Sequence, residues 1–323
     1  LEACLASLAR QTFMDFETIL IDNASSDGSL DAIGEAPARL TLLRQERNLG
    51  FAAANNLGAR MGRGRWLALL NPDAIADPDW LEQAMRALVE RPDCRVLACL
   101  QLMTDDPSRL DGAGDCYLAY GFAWRGGFGA AAARAPPAGR CFAPCGAAAV
   151  YPRARFLELG GFCERYFCYH EDVDLGFRLL LAGEKTQFAP AARVRHAGSA
   201  ISGRSSRFSV FHGARNGVWT FVRNMPSALA LALAPFWLAG MGALLVRAAA
   251  LGRFAPTFRG LAEGLGALPQ TLRERAEVQK LRTAPLADIV GALAWNPIDF
   301  LQRRIRVRPF GAPARDRDVE DAK

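Results

Sequence analysis

The sequence TILIDNASSDG at residues 18–28 joins a short apolar run to a dense turn signal. The apolar run ends at Asp22, and the residues after it are types that dominate tight turns. A second apolar run at residues 66–70 also ends at a turn, with Asn-Pro-Asp at residues 71–73. Both segments predict buried strands that carry an acidic residue just beyond the carboxyl end.

Helical segments alternate with these strands. Apolar residues recur at helical spacing in residues 1–10, 52–61, 78–90 and 171–182, and the last of these helices is predicted to end at Gly183. Short strands alternating with helices of about ten residues predict an α/β fold with a largely parallel, mixed sheet. In open sheets of this kind, ligands bind beyond the carboxyl ends of the strands. Asp22 and Asp73 are therefore candidate site residues.

The composition limits the class of protein. The chain has 323 residues, of which 51% are hydrophobic and 22% charged, values that exclude disorder over most of its length. A single long uncharged run excludes a multi-span membrane protein. Lys and Arg total 39 against 33 acidic residues, a net charge of +6 that fits an anionic ligand or a membrane surface. The excess is too dispersed to indicate a nucleic-acid partner.

The cysteines predict reduced thiols. The chain has eight of them and no C-x-x-C pair, and it is too long to depend on disulfides for its core. A zinc site formed by Cys141, Cys145, Cys163 and Cys168 is disfavoured, because these cysteines do not have the C-x-x-C spacing typical of zinc ligands.

The most acidic stretch is His-Glu-Asp-Val-Asp at residues 170–174. Acidic residues favour a helix N-terminus, so an ordinary helix start remains one interpretation. However, three carboxylates within four residues exceed what one cap needs. Their mutual repulsion is expected to raise at least one pKa toward that of a useful general base. Asp22 and Asp73 can likewise be simple turn formers, and His196, which follows a strand-like run, can be a structural histidine.

A loop rich in Asn and Gly leads into the second helix. It reads Asn-Leu-Gly-Phe at residues 48–51 and continues as Asn-Asn-Leu-Gly at residues 55–58. Because the first amides of a helix point outward and carry partial positive charge, this loop is expected to present backbone N–H groups to a phosphate.

The order of these pieces resembles the family 2 glycosyltransferases of the GT-A fold, and most of all their rhamnosyltransferase-type branch. The resemblance covers roughly residues 1–202. The motifs that carry it are CLASLARQT (4–12), IDNASSDGS (21–29), NLGFAAANNLG (48–58), LNPDA (70–74), GGFCERYF (160–167), HEDVDL (170–175) and HAGS (196–199).

The resemblance implies a Rossmann-like fold of three α/β/α layers, whose first strand is expected to precede Leu1. It also implies a set of nucleotide-sugar contacts. Asp22 is expected to recognise the base, and the other expected contacts are Asn23, Asn48, Gly50, Asn56, Asn71 and Asp73. Asp73 is expected to hold Mg²⁺ or Mn²⁺ with His196 as a further ligand. Because Asn71 stands at the first position of the motif that replaces Asp-x-Asp, this metal site has one carboxylate fewer than usual.

The same resemblance implies an inverting transfer from a nucleotide-diphosphate sugar, with dTDP-rhamnose as a candidate donor. Asp172 is the expected general base, and Glu171 is expected to help position the acceptor. The acceptor is expected to be a hydroxyl of a cell-surface polysaccharide or a lipid-linked saccharide. Two alternatives stay open, a nucleotidyltransferase and a catalytically weak, membrane-tethered protein that binds sugar nucleotides as a scaffold.

A change in composition near Asn224 predicts a boundary between a catalytic domain, residues 1–223, and a helical, membrane-associated tail, residues 224–323. Residues 227–246 carry no charge and have arginines on both sides, so the charges give no orientation across a membrane. Pro235 and Gly240 are expected to interrupt this segment, which would then form a hairpin or a pair of interfacial helices. We expect them on the cytoplasmic face of the inner membrane, peripheral or monotopic. A true span and a buried helix stay open, and the sequence predicts no oligomeric state.

Overall fold

A computed structural model of the chain describes residues 1–31, 33–198 and 206–311. Ser199, which closes the His196 motif, lies outside the described residues. The strands are β1 (Thr18–Asp22), β2 (Leu40–Arg44), β3 (Trp66–Leu70), β4 (Ala74–Ala76), β5 (Val96–Met103), β6 (Leu110–Ala113), β7 (Asp115–Leu118), β8 (Phe122–Arg125), β9 (Gly139–Cys141), β10 (Ala148–Pro152), β11 (Thr186–His196) and β12 (Arg308–Pro309).

The helices include, to within a few residues, the four helical segments whose bounds are predicted above. They are α1 (Glu2–Ala9), α2 (Gly50–Met61), α3 (Trp80–Glu90), α4 (Arg153–Glu158), α5 (Glu171–Leu181), α6 (Arg207–Asn224), α7 (Ser227–Ala250), α8 (Phe254–Gly266), α9 (Leu268–Lys280), α10 (Leu286–Ala292) and α11 (Pro297–Leu301). Short 3₁₀ turns lie at Ala132–Arg134 and Glu164–Tyr166.

The main sheet is mixed and runs in the order β12-β9-β11-β5-β10-β3, with β4 paired to β11 and β6 paired to β5. Strands β5 and β11 are parallel, whereas β10 lies antiparallel between β5 and β3. Strands β1 and β2 form a separate parallel pair. The expected excess of parallel pairing is not found among the described strands, because β4, β6, β9 and β10 run antiparallel to their neighbours.

Helices cover both faces of this sheet. On β10, Ala148 and Val150 pack into the cluster that contains Trp80 of α3. The alternate residues, Ala149 and Tyr151, pack on the other face with α2, α4 and α5. Because successive side chains of a strand point to opposite faces, this division confirms the predicted α/β/α layers.

The segment 104–144, which lacks a clear sequence pattern, contains β6 to β9 rather than irregular chain. Strands β7 and β8 form a hairpin, with Asp115 opposite Arg125. Each strand is at most four residues long, too short for an alternating pattern to stand out. Gly114, between β6 and β7, has φ +78°, and Gly121, between β7 and β8, has φ +92°. Both adopt the left-handed backbone that these turns require.

The helices on the two sides of the predicted boundary at Asn224 share one apolar core. This core joins Phe177 of α5 to Trp219 of α6, Trp237 of α7 and Ile289 of α10. Helix α6 also packs closely along α8 and α9. The tail helices therefore cover the end of the α/β unit that carries the start of α5.

Helix α7 is continuous over its 24 residues, so the expected break within 227–246 does not occur. Pro235 is exposed and removes a single hydrogen bond from a segment rich in Ala and Leu, which favour helices. Gly240 serves packing, since a Cβ there would lie 2.5 Å from the Phe122 ring. The hairpin turn falls instead between α7 and α8, where Gly252 has φ +68°. By length and composition α7 is able to cross a membrane, and 17% of its most apolar stretch is buried.

Candidate active site

The ends of β3 and β11 bring Asp73 and His196 together. Strand β4 turns back along β11, which places Ala74 opposite His196 and Asp73 directly beside it. The Nε2 atom of His196 lies 3.3 Å from Asp73 Oδ1, and its Nδ1 atom lies 2.7 Å from Asp111 Oδ2. Asn71 Nδ2 lies 3.4 Å from the same Nε2. The predicted residues Asn71, Asp73 and His196 therefore form one group.

This group fits a divalent cation. Burial disfavours the charged imidazole, yet hydrogen bonds to Asp111 and Asp73 raise the pKa of His196 above its ordinary value. When Nδ1–H donates to Asp111, the Nε2 lone pair faces the Asp73 carboxylate, and two electron-rich atoms at 3.3 Å need a proton or a cation between them. A histidine whose second nitrogen is held by a carboxylate is the usual arrangement of a metal ligand.

Asp172 is fixed at the start of α5 but remains half-buried. Its Oδ2 atom accepts a hydrogen bond from the Gly146 amide at 2.9 Å, and Oδ1 accepts one from Val173 at 2.8 Å. A carboxylate held in this way keeps its orientation and still reaches solvent. This is what removal of a proton from a bound hydroxyl requires.

Glu171 is buried, and its Oε2 atom has no hydrogen-bond partner. Burial first, and the neighbouring Asp172 second, raise the pKa of Glu171 well above its ordinary value. The expectation that at least one pKa in this stretch is raised is therefore confirmed, although burial is a larger cause than repulsion between the carboxylates.

Asp174 points into the protein and is fully buried. It accepts hydrogen bonds from Arg178 and Arg223, and from Asn224 at 2.8 Å and Tyr166 at 3.3 Å. Burial favours its neutral form, but Arg223 and Arg178 outweigh burial and lower the pKa of Asp174 below its ordinary value. Asp174 therefore ties α5 to α6 and is separate from the candidate site.

Sequence reasoning missed a second acid near the candidate base. Ligand atoms of Asp115, Cys145 and Asp172 all lie within 4.8 Å of one another. Burial, and then Asp172, raise the pKa of Asp115 well above its ordinary value, which favours its neutral form. The Arg125 guanidinium donates to Cys145 Sγ at 2.7 Å and also to Asp111. Because this cation already lies at the cluster, Asp73 and His196 are the better candidates for metal ligands.

The signal for these missed residues is weak in the sequence. Asp111 and Asp115 lie in Leu-Asp-Gly-Ala-Gly-Asp at residues 110–115, which reads as an ordinary glycine-rich loop. The segment 104–144 is rich in Gly, Ala and Pro, a composition that is typical of an insertion near a ligand site but does not single out these side chains. Their contacts arise from the pairing of β6 with β5, at separations of up to 85 residues.

A short connection before β10 links the two groups of acids. Gly146 donates its amide to Asp172, and the Ala147 carbonyl accepts the amide of Asn71 at 2.9 Å. Gly146 packs tightly here, because a Cβ at this position would lie 3.1 Å from the Phe51 ring. Residues 145–147 therefore position both Asn71 and Asp172.

Asn23, Asn48 and Gly50 form a compact network at the start of α2. Asn23 donates to Asn48 Oδ1 at 2.9 Å, and Asn48 Oδ1 also accepts the Gly50 amide at 2.8 Å. The Leu49 amide donates to Asn23, and the Ala52 amide donates to the Phe167 carbonyl. The expectation that this loop presents its amides to a phosphate is therefore corrected for Leu49, Gly50 and Ala52, whose N–H groups already donate within the protein.

The remaining two predicted contacts are Asp22 and Asn56. Asp22 ends β1 and accepts the Ser25 amide at 2.9 Å, an arrangement that fixes the turn after the strand. Asn56 is buried in α2, where its amide donates to the Phe162 carbonyl at 2.8 Å and to Glu164, and accepts the Phe162 amide. In this structure Asn56 holds the turn that precedes α5.

The turn into α5 is strained. Phe167, Tyr169 and His170 have φ between +66° and +68°, a region that non-glycine residues rarely occupy. The side chain of Asn216 on α6 donates to the carbonyls of Tyr166, Cys168 and Tyr169. Strain of this kind is retained where the surrounding structure enforces it, commonly at functional sites.

Comparison with known proteins agrees with the motifs. A profile described as Glycosyl transferase family 2 matches residues 1–110. Over 234 residues the chain is 31% identical to the N-acetylglucosaminyl-diphospho-decaprenol L-rhamnosyltransferase of Mycobacterium tuberculosis, covering 63% of this chain and 74% of the relative.

Two solved structures share the fold. S. aureus TarS 1-349 in complex with UDP-GlcNAc is similar with a TM-score of 0.52 and 14% identity, over 96% of this chain and 93% of that one. GalNAc-T7 with UDP, GalNAc and Mn²⁺ is similar with a TM-score of 0.50 and 17% identity, over 65% of this chain and 43% of that one. With the family profile, these likenesses confirm the predicted GT-A architecture.

Proposed function

The chain belongs to glycosyltransferase family 2 and is a transferase enzyme, and from this premise we propose that it moves a sugar from a nucleotide-diphosphate donor to a hydroxyl of a lipid-linked saccharide, with inversion at the anomeric carbon. The observation that carries the proposal is the placement of two groups around residues 145–147. Ala147 holds Asn71, which lies beside the Asp73–His196 pair, and Gly146 holds the half-buried Asp172 carboxylate.

Each group suits one part of the transfer. The acceptor oxygen forms a bond to the anomeric carbon while the bond from that carbon to the diphosphate breaks, and the electron pair leaves with the diphosphate. Asp172 takes the proton of the acceptor hydroxyl, and Glu171 helps to position the acceptor. Its two backbone hydrogen bonds hold Asp172 ready for this role.

Asp73 and His196 are the residues that would hold Mg²⁺ or Mn²⁺. Asp111 fixes the imidazole so that Nε2 faces Asp73, and Asn71 lies beside the same nitrogen. A divalent cation bound there supplies charge neutralisation to the leaving diphosphate. Asp22 and the Asn23–Asn48 network, at the carboxyl end of β1, are proposed to contact the nucleotide.

The donor sugar and the acceptor are proposed from the relative in M. tuberculosis. That protein is an L-rhamnosyltransferase by name, and its name gives an N-acetylglucosaminyl-diphospho-lipid as the acceptor. We therefore propose rhamnose as the transferred sugar and a saccharide on a polyprenyl diphosphate as the acceptor class.

An acceptor of this kind requires access to a membrane. Helix α7 is the apolar element that the chain offers, and Leu231 and Val246 on it are 78% and 73% exposed. Arginines 247 and 253 lie at its end. An apolar face with flanking basic residues favours attachment in the plane of the interface. We propose peripheral or monotopic attachment to the cytoplasmic face of the inner membrane.

Calorimetric titration with a panel of nucleotide-diphosphate sugars, with and without Mn²⁺, tests the proposal. One donor should bind in a metal-dependent way to the wild type, and Asp73→Ala should abolish that binding. Asp288→Ala is the control, because it removes an exposed carboxylate in the first turn of α10, away from both groups. The anomeric configuration of the product, read by NMR, tests inversion. Well-folded protein that binds no donor would overturn the proposal.

A further inference from the structure

An apolar cleft of about 270 Å³ lies between α6, α7 and α8, beside the start of α5. Its inner wall is formed by Val218, Trp237, Met241 and Leu261, which are all buried. None of the residues predicted from the sequence to bind donor or metal lines this cleft. It is therefore distinct from the group around Asp73 and His196.

The mouth of the cleft is basic. Arg247 and Leu251 are exposed and Arg253 is half-buried, and all three line the cleft where α7 turns into α8. Within the described ranges neither arginine forms an ion pair with an acidic side chain. Two cations without counter-charges, next to a buried apolar wall, suit a ligand that has an anionic group joined to a hydrocarbon chain.

The cleft also reaches the residue that precedes α5. His170, which precedes Glu171, lines it, and its ring lies against α6 at Gly217. His170 Nδ1 is 3.4 Å from Thr220 Oγ1, which fixes the imidazole from the α6 side. A ligand in the cleft therefore lies next to the turn that carries Glu171 and Asp172.

We propose that this cleft binds the polyprenyl diphosphate part of the acceptor, an inference that rests on the proposed function for the nature of the acceptor. Arg247 and Arg253 bind the diphosphate, and the apolar wall takes the isoprenoid units next to it. The saccharide then extends along His170 toward Asp172. The cleft supplies a binding contact, and the transfer itself stays with the residues described above.

The size of the cleft limits how much lipid it holds. Pockets for whole small molecules measure about 300–1,000 Å³. A cleft of about 270 Å³ therefore takes only the first units of a long isoprenoid chain. The rest of the chain remains in the bilayer, against the exposed apolar face of α7 that continues from the cleft through Leu251.

Farnesyl diphosphate is a short, soluble probe for this site. Calorimetry in EDTA should detect its binding, since no metal is needed at the arginines and the absence of metal suppresses binding at Asp73. Farnesol and inorganic pyrophosphate, which each carry half of the probe, should bind about tenfold more weakly or not at all. Equal binding of pyrophosphate and farnesyl diphosphate would overturn the proposal.

Gly213→Leu places a side chain in the cleft at a position where a Cβ has open space. Gly213 lines the cleft on α6, and a Cβ there meets nothing within 4 Å. We expect this variant to bind farnesyl diphosphate about tenfold more weakly. Gly242→Leu is the matched control, because Gly242 also lies within a helix with open space around it but does not line the cleft. Equal affinity in the two variants would contradict the proposal.

A second pair of variants separates the acceptor from membrane lipids as the source of the anionic group. The double variant Arg247→Gln/Arg253→Gln should bind farnesyl diphosphate more weakly, whereas Arg273→Gln, at an exposed arginine of α9, should not. Both are also tested for binding to phosphatidylcholine vesicles with and without about 20% phosphatidylglycerol. A loss of vesicle binding with unchanged farnesyl diphosphate binding would assign the arginines to lipid headgroups and overturn the proposal.

Donor titrations make the two proposals fail separately. If the protein binds farnesyl diphosphate but no nucleotide sugar, the proposed transfer is refuted, and the cleft remains a binding site for a prenyl diphosphate. If the protein binds its donor and transfers sugar, but Gly213→Leu and Gly242→Leu have equal affinity for the lipid-linked acceptor, only the proposal for the cleft is refuted.

Discussion

Asp174 and Glu171 lie one helical turn apart in α5, and both are nearly inaccessible, with 0% and 5% of their surface exposed. Their surroundings are opposite. Asp174 accepts hydrogen bonds from two arginines, an asparagine and a tyrosine, whereas Glu171 has an oxygen without a partner. The pKa of Asp174 is lowered and that of Glu171 is raised. The partners of a buried carboxyl, rather than its burial, therefore decide its charge.

The difference separates two tasks within one short stretch. Asp174 joins α5 to α6 by accepting a hydrogen bond from Arg223, so it stabilises the fold. The Glu171 end keeps an uncompensated group next to a half-buried Asp172, which costs stability. Perturbed groups of this kind concentrate at functional sites, and structural ion pairs also shift pKa values, so the partners must be known before a role is assigned.

The largest expected effect is on catalysis, at Asp172. Asp172→Asn should lower kcat by a factor of about 10²–10⁴, the usual contribution of a general base. The amide oxygen can keep one of the two backbone hydrogen bonds, so the melting temperature should change little. Steady-state kinetics and thermal melting measure the two effects. A fall in kcat of less than about tenfold would transfer the role of base to Glu171 or Asp115.

The next effect is on stability, at Asp174. Asp174→Asn leaves the buried Arg178 without its counter-charge and the half-buried Arg223 with Glu274 at 3.7 Å alone, and we expect a loss of about 3–5 kcal/mol in the free energy of unfolding. Chemical denaturation measures it. Asp288→Asn is the matched control, because Asp288 is an exposed acid in the first turn of α10. A loss at Asp174 no larger than at Asp288 would remove the distinction between the two ends of the acidic stretch.

The strained turn before Glu171 gives a smaller effect. Asn216→Ala removes the donor shared by three carbonyls of that turn, so we expect a loss of about 1–3 kcal/mol in the free energy of unfolding. Activity should fall further than this loss explains, because the turn positions Asp172. Asn55→Ala, which removes one hydrogen bond within α2, is the control. Unchanged activity in Asn216→Ala would show that the Glu171 end keeps its position without α6.

Local patterns predicted the fold well. Apolar runs ending in turns located β1 and β3, and helical periodicity with its end signals located α1, α3 and α5. The antiparallel insertion of β10 was not predictable, because a five-residue apolar strand carries no information on its direction. The continuity of α7 was also missed, since the fit of Gly240 to Phe122 depends on a contact with β8.

The sequence predicted those residues of the candidate site whose types are unusual for their position, such as Asp73, Asp172 and His196. It did not bring out Asp111 or Arg125, which support His196 from strands that are distant in the chain. It also could not separate Asp174 from Glu171. Adjacent acids look alike in a sequence, and only the arrival of Arg223 and Asn224 from α6 distinguishes them.

The last effect, at the Glu171 carboxyl itself, is absent at low pH and grows as the pH rises. Glu171→Gln removes a buried group that favours its neutral form, so the variant should match the wild type in stability below the ordinary pKa of 4.5. The folded wild type holds this proton more tightly than the unfolded chain does. Its free energy of unfolding therefore falls as the pH rises from 4.5 toward the raised pKa, and then levels off.

Glu171→Gln should lack that fall and become the more stable protein at higher pH, by about 1.4 kcal/mol for each unit by which the pKa is raised. Urea denaturation at several pH values measures this divergence, and Glu46→Gln, at an exposed glutamate, controls for the loss of one charge. Parallel curves for Glu171→Gln and the wild type would mean that a partner compensates Glu171. The contrast with Asp174 would then be lost. If the curves diverge and Glu171→Gln also binds the acceptor more weakly, then the unpaired oxygen of Glu171 contributes to acceptor binding at a cost in stability.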